Sequence, residues 1–248
     1  MYVLPFGDGT RQTVPMCGRF AMDDQVNELL ESFVEEHGAR ALRDWRASFN
    51  IAPTQQVPVL REHSGQREVL PVRWGMVSPG SRTFGGGKPV FNARIETVST
   101  NGLFKRPFAE SRCIVFASGY YEWQLRDDGK QPFYIHQPGE QIAMAGVTRA
   151  WRDPERSDDD PDRWRHSMSI ITRDAHVAPG DIHDRMPACL TPDGYAEWLG
   201  GDLPVDELLR TLDDESLRVA HELEYYEVSR EVNSTKNDGP QLVTPLGA

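Results

Sequence analysis

Cys113-Ile114-Val115-Phe116, followed beyond Ser118-Gly119 by Tyr120-Tyr121-Glu122-Trp123-Gln124-Leu125, decides how this chain is read. Both are short apolar or aromatic runs of the kind that form strands. Working outward, strand patterns continue at Phe133 to His136, Ile142 to Val147 and Ser167 to Thr172, and upstream at Val57 to Leu60 and Glu68 to Val77. Most of the sheet lies in this stretch, with a late strand at Glu222 to Val228. Asp23 to His37 carries Val26, Leu29, Leu30, Phe33 and Val34 at helical spacing between an Asp and Gly38, which predicts an amphipathic helix. Pro192 to Leu199 and Pro204 to Leu212 each open on a proline and predict short helices. Gly80 to Lys88 is a glycine-rich loop, and Arg152 to Arg163 is an acidic hairpin tip or insert.

The chain has 248 residues and a formal net charge of −11. A domain of that size buries roughly 70 to 75% of its unfolded surface and needs no staple, so one domain is expected. No apolar run reaches the roughly 18 residues of a membrane span, and Met1 to Pro15 lacks the pattern of a secretion signal. Cys17, Cys113 and Cys189 are odd in number and far apart, which argues against disulfides and zinc and suits a reducing cytoplasm. Four of the basic residues are lysines and 23 are arginines. Acidic and lysine-poor composition fits a surface adapted to high salt, with an ordinary acidic protein as the plain alternative. The charge opposes nonspecific nucleic-acid binding, so a local basic site would be needed.

Four segments carry chemistry. In Met16-Cys17-Gly18-Arg19-Phe20, a chain beginning at Cys17 would offer an amine of pKa about 7.7 to 8.0 and a thiol of about 8.5 on one residue. Together they can trap an aldehyde, first as a Schiff base and then as a five-membered thiazolidine. The plain alternative is a small buried cysteine. In Phe91-Asn92-Ala93-Arg94-Ile95-Glu96-Thr97, an extended backbone puts Asn92, Arg94 and Glu96 on one face, able to clamp a phosphate or simply to form a surface ion pair. Glu122 lies in an aromatic strand, where lost hydration raises a carboxyl's pKa toward acid and base work unless an arginine is near. It could equally face solvent. His183, in Asp181-Ile182-His183-Asp184-Arg185-Met186-Pro187, is a titratable group in a loop, and Trp74 offers a face for an unstacked base or belongs to the core.

Taken in order, MCGRF (16–20), NIAPTQ (50–55), RWGM (73–76), FNARIET (91–97), GYYEW (119–123), SIIT (169–172) and HDRMP (183–187) resemble the SRAP family, the SOS-response-associated peptidases that process abasic sites. The resemblance implies a single α+β domain, a barrel-like core of mixed and antiparallel sheet with flanking helices, and a positively charged groove for single-stranded DNA. It also implies covalent capture of abasic sites in DNA damage repair, without metal or cofactor, by a monomer that is cytoplasmic and nucleoid-associated when on DNA. By the same resemblance Cys17 is the nucleophile and Asn92 positions the reacting amine and sugar. Glu122 is the acid-base group, and His183 assists the Schiff base. Arg19, Trp74, Arg94, Thr172 and Arg185 fall where the family contacts DNA.

Two departures stand out. Fifteen residues precede Met16, whereas the family's cysteine follows the initiator methionine; the expected reading is an extension over 1–15, a domain over 16–240 and a tail over 241–248, with translation starting at Met16 or the extension cleaved. His176 stands where the family commonly has asparagine. Two other functions remain open at this point. One is a cysteine peptidase using Cys17, His183 and Asn92 or Glu122, perhaps on its own leader. The other is a noncovalent module that binds single strands.

Overall fold

The structure, a computed structural model, describes residues 18–33, 45–175 and 182–247. Cys17 and His176 lie outside them. The elements run β1 (Phe20–Met22), α1 (Asp24–Ser32), β2 (Ser48–Ile51), β3 (Gln56–His63), β4 (Gln66–Trp74), β5 (Asn92–Arg94), α2 (Lys105–Glu110), β6 (Arg112–Ala117), β7 (Gly119–Arg126) and β8 (Gly129–His136). There follow β9 (Ile142–Arg152), β10 (Trp164–Asp174), β11 (Arg185–Pro187), β12 (Cys189–Leu190), α3 (Tyr195–Gly200), α4 (Val205–Ala220) and β13 (Glu224–Glu227).

Five strands close on themselves, because β4 pairs with β3, β3 with β6, β6 with β9, β9 with β10, and β10 again with β4. The chain is therefore an α+β protein with a closed five-stranded barrel, as expected. β6 is buried at all six positions because one face fills the barrel and the other is covered by α2, α3 and the second sheet. The β3–β4 hairpin turns on Ser64 and Gly65, whose φ of 52° and 75° are the two positive values that a tight two-residue hairpin demands. The seam between β4 and β10 is parallel and short, held at Arg73↔Ser167 and Trp74↔Met168.

The second sheet has the order β13-β8-β7-β1-β2. Ser118 and Gly119 pass the chain from the barrel into this sheet. A smaller core of Ala21, Tyr121, Tyr134, Val228, Val232 and Leu242 lies on its outer side. Leu242 is fully buried and Leu246 N–H donates to Glu227 O at 2.9 Å, so residues 241–247 pack against the domain and do not trail from it.

Several boundaries differ from the sequence reading, each for a local reason. Asp23 caps α1 by accepting from Val26 N–H at 3.2 Å; the described part of the helix ends at Ser32, and the expected extension to His37 falls outside the described residues. β4 stops at Trp74 and not at Val77, because Gly75 turns at φ 129°. β5 stops at Arg94, where Thr97 N–H turns back to Arg94 O, so Glu96 does not share the face of Asn92 and Arg94. Pro192–Gly194 is a tight turn before α3, whereas α4 runs on to Ala220 because Leu208, Leu212, Ser216 and Val219 continue its buried stripe. Residues 153–163 form the tip of the β9–β10 hairpin, laced by Arg152–Asp158 and Arg156–Asp160 pairs at 2.6 and 2.9 Å. Among the described residues no helix is long and apolar enough to cross a membrane.

Candidate active site

β10 gathers the site. Its first part pairs with β9 and β4; its last residues pair with β5 on one edge (Ile170↔Asn92, Thr172↔Arg94) and β11 on the other (Thr172↔Pro187, Asp174↔Arg185). One strand end thus carries Asn92 and Arg94 on one flank and the 183–185 segment on the other. β1 approaches from the second sheet, with Phe20↔Tyr120 and Ala21↔Gly119 in register and Tyr121 N–H donating to Arg19 O at 2.9 Å. Carried back along the strand, that register sets Gly18 beside Glu122.

The sheets meet at a cleft of about 460 Å³, lined by Gly18, Arg19, Pro53, Phe91, Trp123 and Asn233, with Lys130 at its edge. Glu122, next to Trp123, is completely buried. Arg19 donates from Nη1 to Asn50 Oδ1 at 2.5 Å and Val232 O at 2.8 Å, and its guanidinium lies 5.8 Å from the Trp123 ring. Burial lowers the Arg19 pKa from its usual value. Its Nε is buried without an acceptor among the described residues, which leaves a donor for an anion in the cleft. Arg94 is exposed and makes no ion pair among the described residues. Arg19 and Arg94, with Lys130 at the cleft edge, are cations without an ion pair among the described residues.

The other expected DNA contacts are placed differently. Trp74 is fully buried, donates from Nε1 to Phe91 O at 3.0 Å, and packs against Phe20 and Phe91 with ring centroids 4.8 and 5.8 Å away. It supports the site from below, since an indole closed to solvent presents no face to a base. Thr172 is also fully buried. Arg185 forks onto Glu96 at 2.6 and 3.1 Å, pairs with Asp174, and donates to Thr172 O at 2.6 Å. Two carboxylates on one guanidinium leave no positive charge to offer a strand; Arg185 instead ties the turn after β5 to the end of β10 beneath His183.

His183 Nδ1 accepts from Arg185 N–H at 3.1 Å, which puts the proton of the neutral ring on Nε2. Burial, opposed by Asp184, lowers the His183 pKa. His166, at the opposite end of β10, is lowered further to about 4 by burial and then by Arg61. The His166 ring stays neutral in the fold down to about pH 4, while in the unfolded chain it protonates near pH 6.5. Stability present above that pH therefore falls as pH drops toward 4. Urea unfolding across this range should show a steeper decline for the parent than for His166→Asn; parallel curves would remove His166 from the account. Burial pushes the Cys113 and Cys189 thiols up to about 12, so neither is a nucleophile in the folded chain.

The profile of the SOS response associated peptidase (SRAP) family matches residues 16–235. The chain belongs to this family. Among SRAP relatives it is similar to the abasic site processing protein YedK of Escherichia coli (strain K12), 32% identical over 234 residues that cover 93% of this chain and 100% of YedK. It is 31% identical to the abasic site processing protein YoqW of Bacillus subtilis (strain 168), over 92% of this chain and 99% of YoqW. It is 30% identical to the abasic site processing protein HMCES of Gallus gallus, over 93% of this chain and 78% of HMCES. A solved protein from Bacteroides thetaiotaomicron superposes with a TM-score of 0.74 at 22% identity, covering 92% of this chain and 99% of that one. A phage-related protein from Bordetella bronchiseptica does so with 0.66 at 26%, covering 86% and 95%. The SRAP fold is thus common to all three.

Of the residues singled out from the sequence, Arg19 lines the cleft, Glu122 lies buried beside Trp123 of its wall, and Asn92, Arg94 and His183 sit about the end of β10. Sequence reasoning passed over Pro53, Lys130 and Asn233 as cleft residues. Pro53 lies in one of the quoted segments, but nothing in the sequence marks Asn233, which accepts from Trp123 Nε1 at 2.6 Å while Asn50 Nδ2 holds the following residues through Ser234 O and Asn237 O at 2.9 and 2.7 Å.

Proposed function

We propose that this chain captures abasic sites in single-stranded DNA, in the response to DNA damage, by a thiazolidine link to Cys17 when that residue, with Met16 removed, is the amino terminus of the working unit. The observation that carries the reading is the register of β1, which brings Gly18, the residue after Cys17, to the cleft wall beside the buried Glu122. The relatives named as abasic site processing proteins support it.

Glu122 moves a proton between the two ends of the sugar's hemiacetal, so that the C1–O4 bond opens and C1 becomes an aldehyde. The Cys17 amine adds to C1 and water leaves, giving a Schiff base; His183, with its proton on Nε2, donates to the departing oxygen. The thiol then adds across the C–N double bond, sulfur to C1 and proton to nitrogen, so the whole sequence releases one water. Asn92 holds the amine and sugar, while Arg19 and Arg94 hold flanking phosphates. Because a lost base needs no flipping, selection rests on the aldehyde itself.

Protein beginning at Cys17, incubated with an abasic oligonucleotide and denatured, should migrate as an adduct; folded protein that gives none would falsify the reading. Salt separates capture from simple binding. Affinity for intact single strands falls by about 0.7 log units per neutralised phosphate for each tenfold rise in salt. Adduct once formed is covalent, so its yield should persist where intact-strand binding is lost. Equal loss of both favours a noncovalent module.

A further inference from the structure

The loop between β4 and β5 encloses a second cavity of about 120 Å³, lined by Arg73, Ser78, Ser81, Gly85, Gly87 and Lys88 among others. Arg73 is built into it. A Cβ on Gly75 would come within 2.7 Å of Arg73 Nη1, and one on Gly85 within 2.7 Å of Nε, while both glycines hold positive φ, 129° and 81°. The positive φ at both positions favours glycine, and without a Cβ there the guanidinium sits directly against the backbone on two sides. Its hydrogen bond is from Nη1 to Gly75 O, at 3.2 Å, which leaves most of its donors open.

Charge at this place is unbalanced. Arg61, Arg126, Arg152, Arg185 and Arg230 each have a carboxylate partner, yet among the described residues Arg73, Arg82, Lys88 and Arg165 have none. Arg165 lies flat on Phe84 at 4.0 Å, and its charge, after burial, is what lowers the Arg73 pKa. Asp162, in the neighbouring cleft, is turned to Arg156 at 3.7 Å. Gly85, Gly87 and Lys88 N–H groups have no acceptor among the described residues. Gly86 N–H is turned to Thr83 O at 3.3 Å, so the free amides are those of Gly85 on one side and of Gly87 and Lys88 on the other, and backbone amides without an acceptor can serve an anion. Arg73 and Lys88 line the cavity and Arg165 bears on Arg73, with no carboxylate paired to any of the three among the described residues, so the pocket is suited to an anion.

We propose that this pocket binds a phosphate group, supplied in the working complex by the backbone of the captured strand. The assignment to a strand rests on the function proposed above; the phosphate site does not. The two cavities adjoin along the chain, since Gly75 follows Trp74 beneath the cleft and Val90 precedes Phe91 in its wall. A strand whose lesion lies at the cleft thus meets Arg73 and Lys88 through a neighbouring phosphodiester.

The test uses the full chain with inorganic phosphate and, separately, an intact single-stranded oligonucleotide. Phosphate should raise the unfolding midpoint more in the parent than in Arg73→Gln or Lys88→Gln, the comparison cancelling the general salting effect. Lys88 is exposed and unpaired, so its variant keeps the experiment readable if Arg73→Gln does not fold. Each variant should also reduce the salt slope of oligonucleotide binding by about 0.7. Loss of the phosphate effect with an unchanged slope keeps the pocket but assigns it to free phosphate, overturning the strand assignment. A reduced slope without a phosphate effect keeps it for phosphodiesters. If both readouts stay at parent values in both variants, the pocket is not a phosphate site. Failure to form an abasic adduct leaves the phosphate measurement intact, so the two ideas fail separately.

Discussion

Cys17→Ala is expected to abolish the denaturant-stable adduct, and Glu122→Gln to slow its formation by about 10²- to 10⁴-fold. The two substitutions act at different steps. Removing the sulfur leaves an open imine, which water reverses; removing the carboxyl leaves the thiol and amine in place but starves them of aldehyde. Glutamine has nearly the shape of glutamate and can hydrogen-bond, yet it cannot carry a proton between the sugar's oxygens. Glu122 is fully buried on β7, in register with Phe133 of β8, so bulk water does not easily replace it. Single-turnover rates on denaturing gels give the measurement, with affinity for intact strand as the control that should not move. A Glu122→Gln rate within a few-fold of the parent would transfer the proton step to another group, and an adduct surviving Cys17→Ala would place the link elsewhere.

Trp74→Ala should cost about 3–5 kcal/mol of folding stability. The indole is wholly enclosed, contacts Phe20 of β1 and Phe91 before β5, and satisfies the Phe91 carbonyl. Its loss opens a void where the two sheets meet and removes one of two donors to that carbonyl, which keeps Ile170 N–H at 3.0 Å. Trp74→Phe should lose less, because it keeps most of the packing and gives up the hydrogen bond, worth about 1 kcal/mol net. Urea unfolding at constant m-value reads both. Were Trp74 a platform for a base, alanine would instead leave stability within about 0.5 kcal/mol and weaken DNA binding alone.

What was legible in the sequence depended on element length. β6 through β10 announce themselves because each offers enough consecutive residues to show burial on one or both faces. β1, β2, β5, β11 and β12 have two to four residues each, too few for any period; they are strands because long neighbours hold them. The site followed the same logic. Glu122 could be read from its aromatic strand, and His183 from its loop. The ion pairs of Arg185 were not legible, because its partners Glu96 and Asp174 come from two other segments and a guanidinium in isolation looks equally ready for a phosphate or for a carboxylate. Trp74 was undecidable for a related reason, since nothing local records which side of the sheet is covered.

The parallel seam between Arg73 and Ser167 also sets the order of assembly. The β3–β4 hairpin can form from adjacent residues, but its far edge has no partner until β10 has been synthesised. β10 is in turn the strand to which β5 and β11 attach. Asn92 and the segment leading into β11 therefore have their places fixed only once β10 has entered the sheet, so both flanks of the candidate site depend on one strand.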